Sequence, residues 1–188
     1  MTQFLDNPEG FALPASTTDA LNLEVLRAEL KRDEGNKLKA YKDTLGLWSI
    51  GVGRNLDRRN SDGTQGITSK ETLVLKITRD SCLLKGITQA QCDRLLDNDI
   101  KAVMAELDHA LPWWRSLDPV RQRVMLNLGF MGVGNASHGL LSFHNTLEAI
   151  RTHRWEDAAH GLETSQYARQ VGARATRLAN LLRLGVAK

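Results

Sequence analysis

The sequence predicts an α+β fold, a short extended region set among helices. Three observations carry this expectation. Residues 38 to 53 leave the helical period, with Leu38, Ala40, Tyr41 and then Trp48, Ile50, Val52 reading as short extended segments. On either side of that stretch, apolar residues recur at helical intervals. Helix-start signatures punctuate the rest, at Thr68 with Glu71, at Thr88 with Gln91 and at Asp118-Pro119.

Residues 1 to about 20 are polar, with Pro8, Gly10, Pro14 and a Ser-Thr-Thr stretch, and read as an arm beyond the core domain. The first helix is expected over about residues 22 to 34, because Leu23, Leu26 and Leu30 form one stripe. Glu34 falls next on that stripe, so it is expected to face the interior, and Gly35 is a natural stop. The sheet follows at about 38 to 54, with Thr44-Leu45-Gly46 as its turn. Residues 55 to 67 read as a polar loop, and a helix is expected from Thr68 to about 84. A second capping box at Thr88 opens a helix to about Leu111, roughly 30 Å long and able to bridge two lobes. Proline at the first position after Asp118 begins the next helix, whose stripe is Val120, Val124, Met125 and Leu128. Three glycines make residues 132 to 139 a loop, and helices are expected at about 144 to 152, 155 to 166 and 173 to 184. Trp155 and Trp113 or Trp114 read as core anchors.

Composition bounds the function. The chain has 188 residues, 41% hydrophobic and 25% charged, ordinary for a globular protein of one domain or two lobes around a cleft. No apolar run approaches the ~18 residues that span a bilayer, so no stable membrane insertion is expected. No secretory signal opens the chain, which predicts synthesis in a cytoplasm. Cys82 and Cys92 make no disulfide framework and are expected to be reduced. The five histidines show no zinc spacing, and His153 with His160 reads as a solvated pair. Gly51 and Gly53 do not make a dinucleotide motif, and no Gly-x-Ser-x-Gly elbow occurs. A formal net charge of only +3 argues against a nucleic-acid partner. The charge is uneven: residues 1 to 26 hold acids without a base, and residues 164 to 188 hold bases without an acid. Internal pairing is the preferred reading for Arg174 and Arg177, three apart on one helix face.

The chemistry concentrates in residues 33 to 54. A carboxylate at a helix end, Glu34, is followed nine residues later by Asp43 at a hairpin and then by the hydroxyl of Ser49. This order suits hydrolysis of a sugar bond, where one carboxyl group protonates the leaving oxygen and another activates water. An apolar setting favours the proton donor's role. The plain alternatives are a surface Glu at a helix end and a turn-forming Asp. Gly51 and Gly53 allow another segment or a substrate to approach the backbone.

The run Asp33-Glu34-Gly35 … Leu38-Lys39-Ala40-Tyr41-Lys42-Asp43-Thr44 … Ser49-Ile50-Gly51-Val52-Gly53 resembles the opening of phage lysozymes of the T-even type, endolysins that cleave peptidoglycan. The segments at Gly86-Ile87-Thr88, Phe143 to Leu147, Arg154 to Ala159 and Arg174 to Arg177 are similar to later parts of that family in order and nearly in spacing. The resemblance spans roughly residues 24 to 185. It implies a lysozyme-like fold, with a small β-sheet lobe and a larger helical lobe joined by a long helix. The expected division is a lysozyme-like catalytic domain over 22–188 and an N-terminal arm over 1–21 that is not part of the resemblance. Carried over residue by residue, Glu34 is the general acid, Asp43 the carboxylate that activates water, and Ser49 the hydroxyl that orients it. Phe130 and Thr146 match positions that line the saccharide cleft. Arg174 is expected beside Glu34, and Arg177 beside Asp33. The family carries Thr where this chain has Ser49, and His where it has Arg54, which is expected to face Asp99. The implied partner is bacterial peptidoglycan, met by a monomer without cofactor or metal. The implied setting is lysis from the host cytoplasm, the wall being reached once the membrane is permeabilised. A virion-borne enzyme, a delivered toxin and an inactive wall-binding module are the alternatives.

Overall fold

The computed structural model describes residues 21–185. The arm expected over residues 1–21 therefore lies, apart from Leu21, outside the described residues.

The fold is α+β. Helix α1 (Leu23–Glu34) leads after two residues into β1 (Lys37–Lys42), β2 (Trp48–Gly51) and β3 (Arg54–Asn55), an antiparallel sheet in the order β1-β2-β3. The β1–β2 hairpin closes where Asp43 N–H donates to the Leu47 carbonyl at 2.9 Å and Gly46 N–H donates to that of Asp43 at 3.0 Å. Gly46 has φ +79°, which suits glycine in a turn. In the polar loop that follows, Asp62 is held near pKa 2 by the Thr64 hydroxyl and by the amides of Ser69 and Thr64.

The helix expected from Thr68 to 84 is two helices, α2 (Ser69–Leu75) and α3 (Arg79–Lys85). Lys76 breaks it in the left-handed conformation, Ile77 turns inward, and Thr78 with Ser81 opens a fresh capping box. Thr88 caps α4 (Gln89–Ala110), 22 residues long. The first half of α4 packs on the sheet, and the second half crosses α5 (Pro119–Gly129). A side chain at Gly129 would meet Val103 at 2.6 Å, so glycine permits that crossing. Helix α5 is buried over nearly its whole length and is the axis of the helical lobe.

Helices α6 (His144–Arg151), α7 (Trp155–Glu163), α8 (Gln166–Val171) and α9 (Ala173–Leu184) complete that lobe, with α7 against α6 and α9. The helix expected to reach 166 stops at Glu163, because Ser165 caps the separate α8. Short 3₁₀ turns at Pro112–Ser116 and Leu140–Ser142 have no helical period long enough to read. Trp114 is fully buried and donates its indole N–H to Asp108 at 2.8 Å. Trp155 carries the Arg121 guanidinium 3.6 Å above its ring. Cys82 and Cys92 are free and buried. His153 stands outside α7 and stacks on Trp155, and both it and His160 are exposed. No described helix is long and apolar enough to cross a membrane.

Candidate active site

The acidic pair at the end of α1 divides its roles differently from the expectation. Asp33, not Glu34, is the buried carboxylate, with side chains 1% and 26% exposed respectively. The reason is angular. From Leu26, seven residues bring Asp33 almost back to the buried line, whereas eight carry Glu34 about 80° round, at ~100° per residue. Leu26 and Leu30 are fully buried beneath this line. Glu34 thus sits at the edge of the interior and faces the cleft.

Two arginines from the far end of the chain meet these acids. Arg174 Nη1 donates to Glu34 Oε1 at 2.5 Å, and Arg177 pairs with Asp33. Both pairings were expected, and both oppose the unfavourable dipole of two acids at a helix C-terminus. Asn127 on α5 locks the arrangement. Its side-chain amide donates to Asp33 at 3.1 Å, while its side-chain oxygen accepts from Arg174 Nε at 2.9 Å and its carbonyl accepts from Arg174 Nη2 at 3.1 Å. Sequence reasoning missed Asn127. The available signal was an amide inside an otherwise apolar helical run, fully buried in the structure.

The other half of the site comes from the sheet. Tyr41 pairs with Ser49 across β1 and β2, so both side chains share a face, and Asp43 follows Tyr41 by two residues. Asp43 Oδ1 accepts the amides of Leu45 and Leu47, each at 2.9 Å. The turn therefore fixes one oxygen and leaves Oδ2 outside its hydrogen bonds. Ser49 is buried at 4% exposure, as befits a small hydroxyl on the inner strand. Tyr41, also missed from sequence, links the halves: burial raises its pKa first, and the charges of Glu34 and Asp43 raise it further. Gly53 has φ +73°, and a side chain there would meet Glu34 Oε2 at 3.5 Å. The glycine thus admits the β2–β3 turn against the acid, while Gly51 admits β2 against Cys92.

Two cavities flank this centre. One of about 450 Å³ runs from Gly53 and Asn55 past Asp99 and Glu106 to Phe130 and Gly132. The other, about 730 Å³, is lined by Thr146, Asn145, Gly161, Tyr167 and Gln170, and Met131 belongs to both. Neither is lined by Glu34 or Asp43; the first reaches Glu34 at Gly53. Phe130 and Thr146 accordingly lie in different cavities. Phe130 is open to the first, whereas Thr146 is buried against Gly161 and is mainly packing.

Behind the cleft, Arg54 meets Asp99 as expected, at 2.8 Å. It also makes a two-pronged contact to Glu71, at 2.8 and 3.2 Å, and donates to the Gly66 carbonyl at 3.1 Å. Asn98 adds a hydrogen bond to Glu71 at 2.9 Å. Burial pushes Glu71 upward, but Arg54, the Thr68 amide and Asn98 together hold it below its ordinary pKa. Asp99 ends above its ordinary value, since burial outweighs the same guanidinium. Among the described residues, no cluster of three or more His, Cys, Asp or Glu could hold a metal ion.

Comparison with known proteins agrees with this geometry. Residues 31–180 match the family model for phage lysozyme. The chain is similar to probable T4-type lysozyme 1 of Dictyostelium discoideum, 28% identical over 160 residues, 83% of this chain and 92% of the relative. Probable T4-type lysozyme 2 of the same organism is 28% identical over 168 residues, 87% of this chain and 96% of the relative. A third relative is the pre-baseplate central spike protein Gp5 of Enterobacteria phage T4, 29% identical over 185 residues, 95% of this chain but 31% of that protein. The matched span takes in the whole sheet, Glu34 and Asp43, and it reaches the helix that carries both arginines. The chain belongs to the phage lysozyme family.

Proposed function

We propose that the protein is a muramidase that hydrolyses the β-1,4 bond between N-acetylmuramic acid and N-acetylglucosamine in bacterial peptidoglycan. The observation that carries this reading is a pair of differently braced carboxylates whose charges both reach Tyr41. Glu34 is braced by Arg174 at the cleft edge, and Asp43 is braced by turn amides on the opposing sheet. Arg174 occupies Glu34 Oε1, so Oε2, beside Gly53, is the oxygen that carries the proton to the glycosidic oxygen. As that bond breaks, water adds to the anomeric carbon and gives its proton to Asp43 Oδ2. Ser49 orients the water, and neither metal nor cofactor takes part. Attack by water on the face opposite the leaving group makes the reaction inverting. Phe130 lines the saccharide path, while Asp33 and Arg177 hold the end of α1.

In this reading the enzyme acts as a monomeric endolysin. It is made in the host cytoplasm and reaches the wall after a separate protein perforates the membrane. A second setting, a wall-penetrating enzyme carried on a virion, is favoured by the similarity to the spike protein Gp5 along 95% of this chain. Mass spectrometry of peptidoglycan digested by wild type and by Glu34→Gln tests reaction and residue together. Muropeptides with a reducing muramic acid end are expected from the wild type alone, and their appearance with both proteins would overturn the assignment. Anomer-resolved NMR of the first product tests inversion, and proteomics of purified particles separates the two settings.

A further inference from the structure

The outer side of the Arg54 network holds a third cavity, of about 600 Å³, between α2, the loop before it and the first half of α4. Its lining carries six cationic side chains and two carboxylates, an excess of four positive charges. The whole chain carries a formal +3, so this cavity concentrates more positive charge than the rest of the protein displays. The two carboxylates, Glu71 and Asp99, are already engaged by Arg54. Arg58, Arg59, Lys70, Arg94 and Lys101 make no ion pair among the described residues and are exposed.

That is unusual within this molecule. Twelve of its arginines are in ion pairs, from Arg27 on α1 to Arg183 on α9. Four described arginines are not, and three of those four converge on this cavity; the fourth, Arg169, lies on α8. The cavity also has an apolar wall of Val74, Leu75 and Ala102. Beside it stand two of the large hydrophobic side chains left exposed, Leu73 at 69% and Val74 at 60%. Guanidinium forks match phosphate oxygens in pairs, and ammonium groups add point charge. Phosphate next to exposed aliphatic carbon is the chemistry of an anionic lipid headgroup at a bilayer surface.

We propose that this cavity binds the phosphate ester of anionic lipid headgroups and docks the protein on a membrane face, with Leu73 and Val74 toward the acyl boundary. The site adjoins the cleft cavity, with which it shares Arg54, Arg58, Asn60, Asp99 and Ala102, and its lipid binding does not depend on the catalytic reading.

The test uses the full chain and sedimentation with vesicles of phosphatidylcholine, alone or with phosphatidylglycerol. Wild type is expected to bind only the anionic vesicles. Arg58→Ala/Arg94→Ala should bind them roughly thirtyfold more weakly, as two cations near an anionic surface imply. Lys85→Ala/Arg169→Ala removes the same charge elsewhere and should change binding less than about twofold. Leu73→Ser/Val74→Ser should weaken vesicle binding as well. Circular dichroism melts establish that each variant is folded. Equal losses in the two charge variants would overturn the site in favour of general charge attraction. Binding of inorganic pyrophosphate without vesicle binding would overturn the lipid assignment, leaving a site for soluble phosphates. No binding of either probe would overturn the proposal altogether.

Discussion

Glu34 and Asp43 have unlike supports, a guanidinium on one and backbone amides on the other. Glu34→Gln keeps the shape and the contact to Arg174 but removes the transferable proton. Wall hydrolysis in a turbidity assay should fall by at least ~100-fold, the usual scale for a lost general acid. Asp43→Asn should be similarly harmful, since its amide accepts no proton from water. Ser49→Ala should cost less, because that hydroxyl only orients, and Ser49→Thr should be tolerated. Near-normal activity in Glu34→Gln would refute the role assigned to it. Gly53 offers a test of position rather than chemistry. At φ +73°, an alanine costs about 1–2 kcal/mol, and its methyl group sits at contact distance from Glu34 Oε2. Gly53→Ala should therefore lower both the melting temperature and the turnover, whereas Gly46→Ala, in open space, should lower the first alone.

Arg54 joins three elements, β3, α2 and α4, through Glu71 and Asp99. The two carboxylates differ in the direction of their pKa shift, and so in their effect on stability. Glu71 is lowered, with burial more than offset by Arg54 and its other partners, so it stabilises above its unfolded value of ~4.3 and loses that contribution as pH falls through its folded value. Asp99 is raised by burial, so the folded state takes up its proton first and stability declines as pH rises through the folded value. Glu71→Gln should thus destabilise by on the order of 2–4 kcal/mol, with a gap that holds from pH 5 to 8 and narrows below ~4. Asp99→Asn should cost much less and should remove the decline. Urea unfolding across that range checks both, and equal costs would contradict the pKa directions. A second inter-element pair, Glu29 on α1 with Arg123 on α5, is buried at 3.4 Å, with Glu29 Oε2 and Arg123 Nε lacking good hydrogen bonds. Burial raises Glu29 despite Arg123. Arg123→Met alone should cost about 3–5 kcal/mol, and Glu29→Met/Arg123→Met should be near neutral or stabilising. A double variant as unstable as the single one would show that the pair itself holds α1 on α5.

At the scale of the molecule, most helix starts were legible, because caps are local: Thr68, Thr88 and Asp118 each bind an amide within three residues. What escaped depends on long-range packing. Lys76 looks like any helical lysine, yet the inward turn of Ile77 ends α2 there. The candidate catalytic residues were legible through family likeness, but which of Asp33 and Glu34 is buried turns on one residue's step of ~100° around the helix. Asn127 and Glu71 act through partners far along the chain, for which local spacing offers no sign. The clamp on the acids is the extreme case: Asp33 and Arg177 are 144 residues apart, and Glu34 and Arg174 are 140 apart. On the ribosome α1 emerges about 140 residues before α9, so Glu34 waits for Arg174, and Asp33 for Arg177, until α9 has been made. A polypeptide ending at Gly172 should show depressed helical ellipticity and no wall hydrolysis. The acid pair thereby answers to α9, and wall hydrolysis by such fragments reports whether that helix has been synthesised.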